Sequence, residues 1–443
     1  MKSWPLLLVI IGAFLFVEAP GLWHAEPGDE WNYFYMARQL SHGSLPYRDF
    51  FFAHPPFQLL LYFLPAQLGM VALKLVPLLC TIGSGILVYL LAGRHGRKAG
   101  ILAAGLFFSS YAVMLEATYG VGVCEATFLV LLGITLFSKH PVLGGLFLGL
   151  AGLTRTYALI PAGLFLAYSF FKERKESLKA AIGFSITYVL PTLILVVCFG
   201  SGFIDPVIRY HFLKPHLASN TWAVFKEVCL RNLPLLIASL WALIFSFRRS
   251  ILPFGAIALA SIAFLLSLNR IFNFYFFLAM PFLAIIAGSW LSQLWKGKAR
   301  FLAFLLIGFS LYFFVTDSIY LRKVDFTGFA ASREFSGYLG SGTIFGNDGT
   351  ASMLAFQNNL EVCGDYIDTN PMRFQSGLSS LDQAIAHMRS CGFVALRPLE
   401  GFGSMPGVLE AAQACKLLLR RDDPLLGTFL LYNCQGAKAD TII

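Results

Sequence analysis

Two adjacent carboxylates, Asp29 and Glu30, open the stretch PGDEWNYFYMARQLSHGSLPYRDFFFAHPPF that follows the first apolar run of the chain. Ionised carboxylates are costly beside hydrocarbon, so an acidic pair at a membrane edge marks a functional site, provided the flanking segments cross a bilayer. Such a pair can bind a cation, relay a proton, or deprotonate a hydroxyl. Residue types alone do not choose among the three. Asp29 can also serve simply as a helix cap, because Trp31–Leu40 places aromatic and apolar residues at helical spacing just after it.

The elements that must position these residues follow from composition. Of the 443 residues, 57% are hydrophobic and 13% charged, and the mean hydropathy is +0.70. This is far too apolar for a water-soluble globular chain. A polytopic α-helical membrane protein is expected. At roughly 17–25 apolar residues per span, about eleven transmembrane helices are predicted, near 4–20, 70–92, 99–115, 121–138, 141–154, 156–171, 179–200, 232–248, 251–268, 271–292 and 299–317. The first follows Met1-Lys2 and has Pro20 after Ala19, which predicts an uncleaved helix rather than a signal peptide.

The net charge of +9 does not read as a nucleic-acid footprint, because the basic residues sit in short loops. Arg94/Arg97/Lys98, Lys139, Lys172/Arg174/Lys175/Lys179, Arg248/Arg249 and Lys296/Lys298/Arg300 fall at every second loop, and Lys2 shares their side. The positive-inside rule makes that side cytoplasmic. The acidic loop and the chain's C-terminal portion then lie outside, in a multi-pass protein of a bacterial or archaeal plasma membrane. Pro55–Gly69 is apolar but too short to cross, so it is predicted to lie along the interface.

The external segment of about 200–231, with IDPVIRYHFLKPHLASN, concentrates Arg209, His211, Lys214 and His216 against the positive-inside rule. Holding phosphate is one explanation; an amphipathic helix on lipid headgroups is the other. Glu116 and Glu125 flank the second external turn, and a buried Glu125–Arg155 pair is as natural there as a second-site carboxylate. After Asp317 the composition turns polar. The runs GTIFG, LEVCG, FVALRP and TFLLYN between turn residues, with a helix over Ser380–Cys391, predict a small α/β domain over 318–443. Its cysteines, Cys363, Cys391, Cys415 and Cys434, form up to two disulfides if they meet an oxidising compartment, and remain buried thiols otherwise. No cysteine or histidine spacing suggests zinc.

The order Asp29-Glu30, Tyr33/Tyr35, Ala37, Gly43, Tyr47-Arg48-Asp49 and His54-Pro55-Pro56 resembles the first external loop of GT-C superfamily glycosyltransferases, in the branch of protein O-mannosyltransferases and lipid A aminoarabinose transferases. NRIFNFYFFLAMPF, with Arg270 and Tyr275, is similar to a late motif of that family, and GLAGLTRTYALI to its short helix pair, with Arg155 where a lysine is common. The resemblance implies an inverting transfer of a sugar from a polyprenyl-phosphate carrier to an acceptor hydroxyl of a glycan, lipid or protein. It implies Asp29 as base and Glu30 as its orienting or sugar-binding neighbour. Tyr33, Arg48, Asp49 and Glu125 would line the substrate site. Arg155, Arg209, Arg270 and His54 would contact the carrier phosphate, His54 departing from the family's usual lysine, and Tyr275 would join the substrate site. No DxD motif occurs in these loops, so a reaction without metal or other cofactor is expected. A lipid-linked polysaccharide polymerase or ligase and a secondary transporter are the competing readings; the second would place its ionisable groups near the midplane in repeated halves.

Overall fold

A computed structural model describes residues 4–215, 218–245, 251–295, 297, 300–324, 327–423 and 426–435. Lys2, His216, Arg248, Arg249, Lys296 and Lys298, used above to orient the chain, lie outside the described residues.

Each expected span coincides with helix, but the elements differ in length. Trp4–Trp23, Met70–Gly93, Arg174–Phe199 and Arg300–Tyr320 are long and apolar enough to cross a membrane, and Asn220–Arg231 with Leu233–Phe245 forms a fifth candidate bent by 85°. The chain is a multi-pass membrane protein. The count near eleven is not reached by length alone, because several expected spans are short helices such as Val123–Phe137, Pro141–Thr154 and Met280–Leu294. Local residues explain the breaks. The run 99–115 splits at Ser109-Ser110 into Arg97–Phe108 and Tyr111–Glu116, where serines compete for backbone hydrogen bonds. The span expected from 271 begins as a 3-10 turn, Asn273–Leu278, and the α-helix starts at Met280 with Pro281 in its first turn, the position proline tolerates. The last membrane helix runs on to Val324, past the change in composition at Asp317.

The loop after the first apolar helix carries two short helices, Asp29–Gln39 and Phe57–Leu68, as the periodicity predicts. The C-terminal portion folds around a five-stranded sheet of β1 (Thr343–Gly346), β2 (Glu361–Val362), β3 (Phe393–Leu396), β4 (Lys416–Asp423) and β5 (Gly427–Asn433), in the order β2-β1-β3-β5-β4. The first three strands are parallel and β5 returns antiparallel to both β3 and β4. Strand β4 escapes a sequence reading because it is a half-exposed edge ending in Arg420–Asp423, charges that keep sheet edges from pairing with other chains. Ser380 caps the helix Leu381–Arg389, accepting from the Gln383 N–H. Two disulfides, Cys363–Cys391 and Cys415–Cys434, staple the domain.

This domain sits on the helix Asp29–Gln39. Gly349 N–H and Ser352 Oγ both donate to Asn32 Oδ1, at 2.9 and 2.7 Å. Val362 N–H donates to the Tyr35 hydroxyl at 2.8 Å. Arg38 donates to the carbonyls of Phe356 and Ala355 at 2.8 and 3.1 Å. Gly349 has φ +69°, and a Cβ there would stand 2.4 Å from the Gly28 nitrogen. Only glycine permits that conformation and that approach together.

Candidate active site

Asp29 begins its helix after Gly28, which occupies the N-cap in extended conformation, and no side chain caps this helix. The carboxylate is thus available to a small cavity of about 30 Å3 whose lining includes Tyr33, His54, Arg155, Lys214, Tyr275 and Asp368. These come from six places in the chain. Burial, and then the Asp368 carboxylate, push the Asp29 carboxyl up to about 6, against the pull of Lys214, Arg155 and Arg270.

Arg155 lies at the break between the helices Pro141–Thr154 and Leu159–Lys172, in extended backbone. It is 2% exposed, donates to the Val121 carbonyl, and stacks over the Tyr33 ring at 5.0 Å. Its Nε has no partner, so the guanidinium retains a donor. Gly122, at φ +80°, makes room for it: a Cβ there would lie 2.8 Å from Arg155 Nε.

His54 shares a 3.1 Å hydrogen bond with the Tyr33 hydroxyl through Nε2, and its Nδ1 is buried without a partner. Burial and the neighbouring Arg155, His211 and Lys214 hold it well below the usual histidine range, so it is neutral near pH 7 and donates at most one hydrogen bond.

Fixed charge comes instead from Lys214. The backbone leaves its helix at this residue because Pro215 follows, and Lys214 is extended with ψ 136°. Asn269 Nδ2 donates to its carbonyl at 3.1 Å. His211 Nε2 donates to the Ala53 carbonyl at 2.8 Å, which leaves Nδ1 as the acceptor facing Lys214 Nζ at 3.4 Å. Burial and Lys214 push His211 down to about 3. Burial lowers Lys214 itself to about 8, with Asp29 and Asp368 opposing.

The remaining sequence candidates are spread more widely. Glu30 is bound to Lys74 at 2.8 Å and accepts from the Gly120 N–H at 3.0 Å; it borders a separate cavity of about 470 Å3. Arg209 faces outward in an exposed pair with Asp205, 2.8 Å away and one turn earlier. Arg48 and Asp49 pair with one another at 2.7 Å on a polar groove of about 620 Å3 between the loop that follows the first helix and the C-terminal domain. Glu125 is fully buried and accepts from the Tyr62 hydroxyl. Arg270 stands over the Phe272 ring at 5.6 Å, near enough for its charge to favour ionised Asp29. Tyr275 lines the Asp29 cavity and packs on Tyr157 at 5.1 Å.

Sequence reasoning passed over Lys214 as a named site residue and missed Asp368 and Asn370 entirely. Lys214 had a signal, since it sits in the basic external segment; the two C-terminal residues had none. Among the described residues, only Cys363, His387 and Cys391 gather three metal-type ligand atoms, and there the two sulfurs are bonded to each other.

No protein-family model matches the chain, and no curated protein matches it in sequence. Its fold is nevertheless shared with solved structures. It is similar to ArnT from Cupriavidus metallidurans bound to undecaprenyl phosphate, with TM-score 0.72, 13% identity and 99% of each chain covered. The apo state of the same ArnT gives TM-score 0.67 at 14% identity, covering 98% of this chain and 99% of that one. The Archaeoglobus fulgidus oligosaccharyltransferase in complex with Zn and sulfate gives 0.50 at 14% identity, covering 97% of this chain and 73% of that one.

Proposed function

We propose that this protein is an inverting glycosyltransferase that moves a sugar from a polyprenyl-phosphate carrier to an acceptor hydroxyl on the outer face of the membrane. The observation that carries this reading is the enclosure of Asp29 with Lys214 and Arg155 in one cavity. Asp29, raised to about 6 by burial, takes the acceptor's proton as the acceptor oxygen attacks the anomeric carbon. A base is most effective when its pKa lies near the working pH. The bond from that carbon to the phosphate oxygen breaks, and its electron pair leaves with the carrier phosphate. Lys214 and Arg155 meet the charge that develops there. Tyr33, Tyr275 and neutral His54 supply hydrogen bonds without altering that balance.

The likeness to ArnT bound to undecaprenyl phosphate supports a polyprenyl-phosphate donor. The two disulfides support an oxidising, extracytoplasmic setting for the C-terminal domain, since such bonds persist outside the cytosol. Because side-chain cations balance the leaving phosphate, the reaction proceeds without a metal ion, and chelators leave it unchanged.

The test supplies purified protein with a panel of polyprenyl-phosphate sugars and measures release of free polyprenyl phosphate, with Asp29→Asn alongside. Release by the wild type alone is expected. Full activity in Asp29→Asn excludes Asp29 as base, and release from no donor in the panel counts against the transferase reading.

A further inference from the structure

The C-terminal domain reaches past its own surface into the cavity of Asp29. Asp368 and Asn370 line that cavity together with Met372. The Asn370 N–H donates to Asp368 Oδ1 at 2.9 Å, and its side-chain amide donates to Asp348 Oδ2 at 3.2 Å. Arg373, 3% exposed, donates to the Asp368 carbonyl at 2.9 Å and to the Asp365 carboxylate at 2.7 Å, so the segment 365–373 is tied at both ends. The bonds from Gly349, Ser352 and Val362 to the helix Asp29–Gln39 set the position of this segment relative to Asp29. Two carboxylates from opposite ends of the sequence therefore line one small space, with Lys214 also in its wall.

We propose that Asp368 is a positioning residue of the transfer reaction, a second carboxylate that the C-terminal domain sets against Asp29 to strengthen Asp29 as the base. This inference rests on the transferase reading for its role, though not for its measurement. The like charge makes a proton on Asp29 more favourable, and a stronger base accepts the acceptor's proton more readily. Other groups act on Asp29 from every side. Lys214 approaches from the second external segment, Arg155 from the helix break and Arg270 from the stretch before Asn273, and all three favour its ionised form. Asp368 opposes them, and Asp348 stands behind it, its own carboxyl raised by burial, Asp29 and Asp368. Tyr33, Tyr119, Tyr210, His54 and His211 are further titratable groups around the cavity, uncharged near neutral pH, and Glu30 beside Asp29 is held by Lys74. Asp368 is thus the cavity's own counterweight to its cations, and only the docked C-terminal domain supplies it.

The test is an infrared titration of carboxylate bands in the full-length protein in nanodiscs, comparing wild type, Asp29→Asn, Asp368→Asn and Asp368→Glu, with the pH profile of kcat/KM measured on the same samples. In Asp368→Asn the Asp29 midpoint is expected to fall by about one pH unit, and the acid limb of the profile to move down with it. Asp368→Glu retains both near their wild-type positions. Asp368→Ser, a second neutral variant, must lower the Asp29 midpoint as well, which keeps the inference testable if Asp368→Asn does not fold. An unmoved Asp29 midpoint in the neutral variants overturns the proposal even when transfer is normal. Conversely, linked midpoints with no transfer from any donor would sink the transferase reading and leave the coupling standing.

Discussion

The Glu30 carboxylate and the Lys74 ammonium meet at 2.8 Å with side-chain exposures of 1% and 2%. Lys74 belongs to the membrane helix Met70–Gly93, so this pair bolts the helix Asp29–Gln39 to the bundle and leaves Asp29 as the carboxylate at the cavity. Adjacent residues of a helix point about 100° apart, and the Asp-Glu dipeptide is divided accordingly. Removing one partner strands the other as a buried charge. Glu30→Gln or Lys74→Met is expected to cost about 3 kcal/mol of stability, read as earlier thermal unfolding, whereas the double variant Glu30→Gln/Lys74→Met recovers much of it. Equal stability of the two single variants and the wild type would remove this anchoring role.

The two basic residues of the second external segment should behave oppositely. Lys214→Met is expected to weaken binding of polyprenyl phosphate by tenfold or more, about 1.4 kcal/mol, while Arg209→Ala leaves it unchanged. Equilibrium binding of the carrier to protein in nanodiscs checks both. Loss with Arg209→Ala and none with Lys214→Met would move the phosphate site to the outer face of that segment.

Activity should follow a bell-shaped pH profile. Asp29 works ionised, so the rate rises as pH passes about 6; Lys214 works protonated, so the rate falls as pH passes about 8. Lys214→Arg holds its charge to higher pH and extends the basic limb upward. A profile flat from pH 5 to 9 would exclude both assignments.

The disulfides give a test of sidedness. Cys363–Cys391 closes a separation of 28 residues and Cys415–Cys434 one of 19, and loops of that size contribute about 3 kcal/mol each when closed. Reduction should therefore release the sheet domain at lower temperature. In intact cells, a membrane-impermeant thiol reagent should label these four cysteines only after reduction by an impermeant reductant. Labelling without reduction would place the tail in a reducing compartment.

Much of this molecule is legible in its sequence because the bilayer imposes a coarse code. Apolar runs had to be helices, since no other open structure satisfies its backbone away from water. The short helices Asp29–Gln39 and Phe57–Leu68 were equally plain from periodicity and length. Within the sheet domain, β1, β3 and β5 follow their apolar runs, whereas the charged edge strand β4 does not announce itself.

Which charges work together is a different matter. Arg209 and Lys214 are five residues apart, and their sequence context treats them alike; the helical turn sends one to Asp205 outside and Pro215 turns the other into the cavity. Asp29 and Asp368 are separated by most of the chain. Sequence alone determined the class of structure, the acidic loop at the membrane edge and the residue types available for catalysis, because hydropathy and helical period are local properties. Tertiary structure decided that Asp29 rather than Glu30 faces the cavity, that Lys214 brings its cation, and that the C-terminal domain adds Asp368. Burial and electrostatic coupling depend on distances across the fold, and those are set only when Gly349 packs on Gly28 and the domain closes over the helix of Asp29.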